Sequence, residues 1–213
     1  MHNLAEGVRR FQREVFPTRA ALFEELAATH RPAALFIGCS DARVVPELIT
    51  QREPGELFVI RTAGNLVPAY APGADGVAAS IEYAVGVLGV TDVIVCGHSG
   101  CGAMTSLALR HDLAGLPAVA DWLRQAGAAT AHTATAHAAD ATHATVAEKV
   151  SALVRANILS QLANLTTHPS VARALAQHTV TVHGWLYDIG TGAVEELDTA
   201  SGRFTPLAVS SSS

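Results

Sequence analysis

Three side chains that bind transition metals lie in two short segments of this 213-residue sequence. Cys39 begins the segment CSDAR (39–43), and His98 and Cys101 lie in the segment GHSGCG (97–102). The His-x-x-Cys spacing lets one tight turn present two ligands to one ion, and the adjacent glycines allow the backbone to fold closely around it. Two thiolates and one imidazole favour tetrahedral zinc. Three protein ligands leave a fourth position open, which is typical of a catalytic zinc site.

A carboxylate and a guanidinium follow the first of these cysteines. Asp41 lies two residues after Cys39, where it could fill the fourth position on the metal or stand beside it. Arg43 is a natural partner for Asp41, because a guanidinium and a carboxylate form a bidentate, charge-assisted pair. An ionised Asp41 that stays off the metal could accept a hydrogen bond from the nucleophile and orient it.

Both segments directly follow predicted strands. The continuous apolar runs predict buried strands in AALFIG (33–38), LFVIR (57–61) and DVIVCG (92–97), with Cys96 as a core residue of the third. Helices are predicted for 44–50, 76–89, a segment beginning near Gly102, and 146–165, and a strand, turn and strand for 179–197. This alternation indicates an α/β fold with a mostly parallel central β-sheet flanked by helices. Because ligands collect at the carboxyl ends of parallel strands, the two segments are expected to converge.

The remaining chain is interpreted as part of a single domain covering 1–213. Apolar positions at helical spacing in 4–28 predict an N-terminal helical arm, broken or kinked at Pro17, that could pack on its own domain or on a partner subunit. The Ala/Thr/His segment 126–145 is predicted to be an exposed helix extension or a loop, since its histidines do not share one helical face. Residues 208–213 are predicted to be a disordered tail.

Composition excludes several classes of protein. Hydrophobic residues make up 49% of the chain, which excludes a disordered protein, and a net charge of −5 argues against nucleic-acid binding. No apolar run is long enough to span a membrane, and the N-terminus lacks the features of a signal peptide. Three cysteines are too few for a disulfide framework, so we expect thiols in a reducing, cytoplasmic compartment.

The two metal-binding segments together resemble the zinc signature of the β-class carbonic anhydrases. The resemblance continues through PGELFVIRTAGNLV (54–67), SIEYAV (80–85) and HGWLYDI (183–189), and it covers roughly residues 4–197. It implies reversible hydration of carbon dioxide to bicarbonate and a proton by attack of zinc-bound hydroxide. It also implies an α/β fold whose leading helix embraces a second subunit, in a homodimer or a homotetramer.

The resemblance also implies roles for particular residues. Cys39, His98 and Cys101 would hold one Zn²⁺ per chain, with Asp41 and Arg43 as the catalytic dyad beside it and Asp41 as a fourth ligand in a closed state. The positions that match the substrate pocket are His30, Phe58, Ala63, Tyr83 and Gly102.

Some positions depart from the family pattern. His30 occupies a position that is glutamine in many plant-like members, and Ala63 one that is often valine. Some members bind regulatory bicarbonate with a tryptophan, an arginine and a tyrosine. Arg61 and Tyr187 match two of those positions, whereas the tryptophan position is Phe36 here.

Two other functions stay open at this point. A carbonyl sulfide or carbon disulfide hydrolase would use the same three zinc ligands, so the motif does not separate it from a carbonic anhydrase. A non-catalytic zinc-binding protein is disfavoured, because a structural site needs neither Asp41 nor Arg43.

Overall fold

The three apolar runs of the sequence form the first three strands of a six-stranded sheet in a computed structural model of the chain. The structure describes residues 4–73, 75–127, 129–131 and 145–207. The chain divides between Arg31 and Pro32 into two units, which are described separately.

The sheet belongs to the second unit and has the strand order β2-β1-β3-β4-β5-β6. Its strands are β1 (Ala34–Cys39), β2 (Leu57–Thr62), β3 (Asp92–His98), β4 (Thr181–Tyr187), β5 (Val194–Asp198) and β6 (Arg203–Pro206). The pairs β1/β2, β1/β3 and β3/β4 are parallel, and the last two pairs are antiparallel. The predicted α/β fold with a mostly parallel sheet is therefore confirmed.

Helices of the second unit connect or cover these strands. In chain order, and numbered after the two helices of the first unit, they are α3 (Pro46–Thr50), α4 (Gly76–Glu82), α5 (Gly102–Ala108), α6 (Pro117–Leu123), α7 (Val146–Thr166) and α8 (Pro169–Ala176). The predicted helix 76–89 is α4 continued by a π-helical segment, Tyr83–Leu88, and it stops at Gly89, whose φ of 69° is left-handed. None of the helices in the described residues is both long enough and apolar enough to cross a bilayer.

The helix α7 packs unusually close to the sheet because two strand residues beneath it are glycines. A Cβ atom at Gly97 would lie 2.9 Å from Ile158 Cδ1, and one at Gly184 would lie 2.9 Å from Leu162 Cδ1. On the opposite face, Phe36 and Cys96 are buried, and the Phe36 ring meets the Trp185 ring edge-on. The prediction that Cys96 is a core residue is confirmed, and burial raises the pKa of its thiol to about 12.

We expect Gly184→Ala to lower the free energy of unfolding by about 1–3 kcal/mol, because the added methyl overpacks the contact with α7. Chemical denaturation of both proteins measures this. Gly86→Ala is the matched control, since a Cβ atom there meets nothing within 4 Å. Equal losses of stability in the two variants would contradict close packing at Gly184.

The first unit is helical, with α1 (Leu4–Arg10) and α2 (Ala20–Ala28) joined by a π-helical and a 3-10 segment. The predicted break at Pro17 coincides with the 3-10 segment Phe16–Arg19. The aromatic rings of this unit lie together, with 5.3 Å between the ring centroids of Phe16 and Phe23. Apolar side chains of this unit nevertheless face outward, and the side chain of Leu4 is 83% exposed.

Some sequence predictions lie outside the described residues or missed an element. Most of the segment 126–145, from 132 to 144, and the tail 208–213 lie outside them. The short edge strand β6 was not predicted. It pairs with β5 through four residues, of which only Phe204 is half-buried, so its hydrophobic pattern is weak.

Candidate metal centre

The fold brings the three predicted metal ligands together at one edge of the sheet. Cys39 is the last residue of β1, His98 is the last residue of the adjacent β3, and Cys101 precedes the first turn of α5. Their ligand atoms all lie within 4.8 Å of one another, and all three residues are buried. The expected convergence of the two segments therefore occurs in the structure.

The hydrogen bonding of His98 fits a metal ligand. Its Nδ1 lies 3.0 Å from the Ser99 carbonyl oxygen, which can only accept, so Nδ1 carries the proton. The other ring nitrogen, Nε2, then presents a lone pair, and it is buried without a hydrogen-bond partner. Metal-binding histidines commonly have this arrangement, in which a backbone carbonyl fixes the tautomer. An orphaned nitrogen beside two thiols is the donor set that zinc prefers.

The two thiols form an acid–base pair. The pKa of Cys39 is lowered, chiefly because the Cys101 thiol donates a hydrogen bond to its sulfur. The pKa of Cys101 is raised by the same contact. A thiol with a lowered pKa is suited to ligating a cation, because thiolate is the form that binds metals.

Asp41 pairs with Arg43 in this structure. Arg43 Nε donates to Asp41 Oδ1 at 2.9 Å, and Arg43 Nη2 donates to Asp41 Oδ2 at 2.6 Å. This bidentate contact holds the pKa of Asp41 well below its usual range. The same Nη2 also donates to the Gly100 carbonyl at 3.2 Å, so the pair connects the two metal-binding segments. Asp41 Oδ2 lies 3.9 Å from His98 Nε2, beside the ligand set.

Arg61 holds the backbone of the first segment. Its Nε donates to the Cys39 carbonyl at 3.1 Å, and its Nη2 donates to the Asp41 carbonyl at 2.6 Å. The resemblance matches Arg61 to a regulatory position, whereas the structure shows it bound to the backbone of the first segment. An arginine one residue from the end of β2 gives no sequence signal of its own for a backbone clamp.

The turn after β2 approaches the same site. Gly64 donates its backbone N–H to the Cys39 sulfur, with an N···S distance of 3.4 Å. The φ of Gly64 is 76°, and a Cβ atom there would lie 2.9 Å from the Ala103 Cβ. Only glycine meets both requirements, because other residues rarely adopt this φ.

Some of the predicted pocket residues lie near the proposed ligands and others do not. Ala63 precedes Gly64, and Gly102 follows Cys101, so both lie near the ligands. Phe58 and Tyr83 lie together, with ring centroids 6.1 Å apart.

Phe58 and Tyr83 lie away from the ligands of their own chain. Phe58 is paired with Leu35, whereas Cys39 is paired with Thr62. Four residues of strand therefore separate Phe58 from the level of the ligands, about 13 Å. His30 belongs to the first unit and stays a sequence prediction.

Several residues that support the site were not predicted from the sequence. Ser99 accepts a hydrogen bond from the Ile189 amide at 2.9 Å, which ties the second segment to the turn after β4. Asn157 and Gln161 of α7 are buried and bind the turn after β2. Their spacing of four residues within an otherwise amphipathic helix is a signal that could have found them.

Comparison with known proteins gives consistent matches. The sequence model of the family described as carbonic anhydrase matches residues 34–194. The sequence is 57% identical over 208 residues to a carbonic anhydrase of Pseudomonas aeruginosa, covering 98% of this chain and 92% of that protein.

Solved structures agree with these matches. The structure of the β-carbonic anhydrase CcaA is similar to this one with a TM-score of 0.91 and 39% identity, over 98% of this chain and 92% of that chain. A tetrameric β-carbonic anhydrase of Sordaria macrospora is similar with a TM-score of 0.73 and 30% identity, over 97% and 94% of the two chains.

Proposed function

The chain belongs to the β class of the carbonic anhydrase family of lyases, and we propose that it hydrates carbon dioxide reversibly to bicarbonate and a proton at a zinc ion. Cys39, His98 and Cys101 would hold that ion, one per chain. The observation that carries the proposal is the convergence of their ligand atoms within 4.8 Å around a buried, unpartnered His98 Nε2.

Zinc bound there would supply a Lewis acid that makes water nucleophilic near neutral pH. The thiolates and the imidazole would occupy three positions and leave one for water. Two thiolates donate more charge than neutral imidazoles, so this site is expected to be a weaker Lewis acid than a site of three histidines.

Asp41 orients the nucleophile in this proposal. Its carboxylate stands beside the ligand set, 3.9 Å from His98 Nε2, and can accept a hydrogen bond from the attacking water. Arg43 keeps Asp41 in that position, because both carboxylate oxygens are already engaged by its guanidinium. Carbon dioxide is small and apolar, and the methyl group of Ala63 suits the wall of its pocket.

A second copy of the chain completes the pocket in this proposal. The resemblance gives Phe58 and Tyr83 a role at the substrate, yet the register places Phe58 about 13 Å along the strand from the level of its own ligands. A pocket role is consistent with that distance if the aromatic pair faces the site of another subunit. The 45% exposure of Tyr83 leaves its ring available for such a contact.

We expect a dimer or a larger even-numbered oligomer at micromolar concentration. The outward apolar side chains of residues 4–28 and the exposed Tyr83 ring are the surfaces that assembly would cover. Light scattering coupled to size-exclusion chromatography measures the mass. A monomer that retains full activity would contradict the expectation.

The proposed reaction is tested by stopped-flow hydration of carbon dioxide, with the zinc content of the same sample measured. Carbonyl sulfide and carbon disulfide are assayed in parallel, because hydrolases of either would use the same ligands. Faster turnover of either compound than of carbon dioxide would reassign the substrate. Full zinc occupancy without turnover of any of the three would indicate a non-catalytic zinc protein.

We also propose a reducing compartment, the cytoplasm. The support is chemical, since the proposed zinc site needs Cys39 and Cys101 as thiolates and a disulfide between them would abolish it. Subcellular fractionation of the native host tests the location.

A further inference from the structure

The turn between β2 and α4 carries a backbone N–H that donates to a proposed zinc ligand from outside the two ligand segments. Gly64 N–H lies 3.4 Å from the Cys39 sulfur. The direction of this N–H depends on the two peptide planes that meet at the Gly64 Cα. One plane contains the Ala63 carbonyl and the Gly64 N–H, and the other contains the Gly64 carbonyl.

Each of these two peptide planes is held by a side chain from a different helix. Trp122 of α6 donates its indole N–H to the Ala63 carbonyl at 2.9 Å. Asn157 of α7 donates its side-chain amide to the Gly64 carbonyl at 3.0 Å. Neither side chain touches a metal ligand in these contacts. Together they fix the peptide plane that contains the Gly64 N–H and the peptide plane that follows it.

Asn157 is itself held by a row of amides along α7. Gln161 donates to Asn157 Oδ1 at 2.9 Å and accepts from the Val67 amide at 2.8 Å. Asn164 donates to the Val67 carbonyl at 2.8 Å. Residues 157, 161 and 164 share one helix face because they are four and three positions apart. These hydrogen bonds fix the orientation of the Asn157 side chain, with its NH₂ group toward the Gly64 carbonyl.

The backbone of the turn is left-handed at two consecutive residues. Gly64 and Asn65 both have positive φ, 76° and 49°. Glycine and asparagine are the residues that most readily adopt this conformation, so their types suit the turn, and the side-chain hydrogen bonds to its carbonyls fix the direction of the Gly64 N–H. The tight approach of Ala103 and Met104 to Gly64 closes the other side of the turn.

We propose that Trp122 and Asn157 are positioning residues that aim the Gly64 N–H at the Cys39 sulfur and so tune the zinc–thiolate bond from outside the ligand set. A hydrogen bond to a thiolate draws charge from the sulfur and fixes its orientation, as partners of metal ligands generally do. The inference rests on the proposed function for the identity of Cys39 as a ligand. It adds residues from two helices that are outside the proposed ligand set and contact the turn through its carbonyl groups.

The test uses the full-length protein with Co²⁺ in place of zinc, because the sulfur-to-cobalt charge-transfer band reports directly on the thiolate. Trp122→Phe removes the indole donor and keeps an aromatic ring. We expect its charge-transfer band to shift to longer wavelength and its metal to pass to a chromophoric chelator about 10-fold faster, the lower end of the effect of such partners. Asn157→Leu is expected to shift both readouts in the same direction.

Trp185→Phe is the matched control. It removes the other indole donor, which contacts Glu196 at 3.4 Å on the opposite face of the sheet. Its charge-transfer band and release rate are expected to equal those of the wild type. A band and a release rate in Trp122→Phe equal to the wild type, or equal shifts in both tryptophan variants, would overturn the inference.

Two further outcomes are separable. If Asn157→Leu does not fold, the inference is decided by Trp122→Phe and by a second measurement on the wild type. In wild-type protein loaded with ¹¹³Cd, NMR is expected to show a scalar coupling between cadmium and the Gly64 N–H. The absence of that coupling would overturn the inference. A wild-type protein that binds neither Co²⁺ nor Zn²⁺ would overturn the proposed function and this inference with it, whereas a failure of the inference alone leaves wild-type binding intact.

Discussion

Replacing His98 by alanine or Cys101 by serine is expected to remove nearly all of the bound zinc and the hydration of carbon dioxide with it. Each change removes one of the three proposed ligands. Among the described residues no other histidine or cysteine belongs to this group, and Cys96 lies on the other face of the sheet. Metal content by mass spectrometry and stopped-flow rates on the same samples measure the two losses. Full zinc occupancy with full activity in either variant would refute the ligand assignment.

Cys96→Ala is the control for this experiment. Cys96 is a buried thiol two residues before His98 on the same strand, and it packs beside Phe36. Its replacement removes a small apolar contact and is expected to lower the free energy of unfolding, while zinc stays bound. A loss of zinc in this variant would show that disturbing β3, rather than removing a ligand, empties the site.

The second large effect is expected for Asp41→Asn, which should keep its zinc and lose activity by about 10²- to 10³-fold, within the range for a positioned proton acceptor. The amide nearly preserves the shape of the side chain. It replaces one acceptor oxygen with a donor, so it no longer orients the attacking water in the proposed mechanism. Wild-type rates in the zinc-loaded variant would remove Asp41 from the mechanism.

Two Arg43 variants, measured in the same experiment, distinguish loss of the bidentate contact with Asp41 from loss of the positive charge. Arg43→Ala removes the guanidinium from both carboxylate oxygens and leaves only the backbone N–H of residue 43 on Oδ1. Oδ2 then becomes free to occupy the fourth position on the proposed metal, and activity is expected to fall. Arg43→Lys keeps the charge but not the two-pronged contact, and it is expected to be intermediate. If both variants keep wild-type rates from pH 7 to 9, roughly the range around the pKa of water on such a metal, Arg43 has no role in holding Asp41 away.

The strands and the convergence of the three proposed ligands were predictable because each depends on local sequence. Apolar runs such as LFVIR identify strands buried on both faces, and strand ends locate Cys39 and His98 at one edge. The hydrogen bonds of Arg61 and Trp122 were not predictable. They end on backbone carbonyls at sequence separations of 20 to 59 residues, and a carbonyl has no residue type to recognise.

The helix α4 shows a different limit of prediction from the sequence. Its periodicity correctly predicted a helix that ends at Gly89, but the change to π-helical geometry at Tyr83 leaves little trace in the pattern. The distance of Phe58 from the proposed ligands of its own chain is likewise not visible in the motif. Motif matching assigns it to the pocket, whereas only the strand register shows how far it lies from its own ligands.

The close contact between Gly97 and Ile158 makes the sizes of two distant positions depend on each other. A methyl group added at 97 would lie 2.9 Å from both Cγ1 and Cδ1 of Ile158. Because Gly97 immediately precedes His98, a larger residue there displaces either the helix or the proposed ligand. Alanine at 97 is therefore expected to be tolerated best together with alanine at 158, which lacks both of these atoms, and among related sequences a larger residue at 97 is expected to accompany a smaller one at 158.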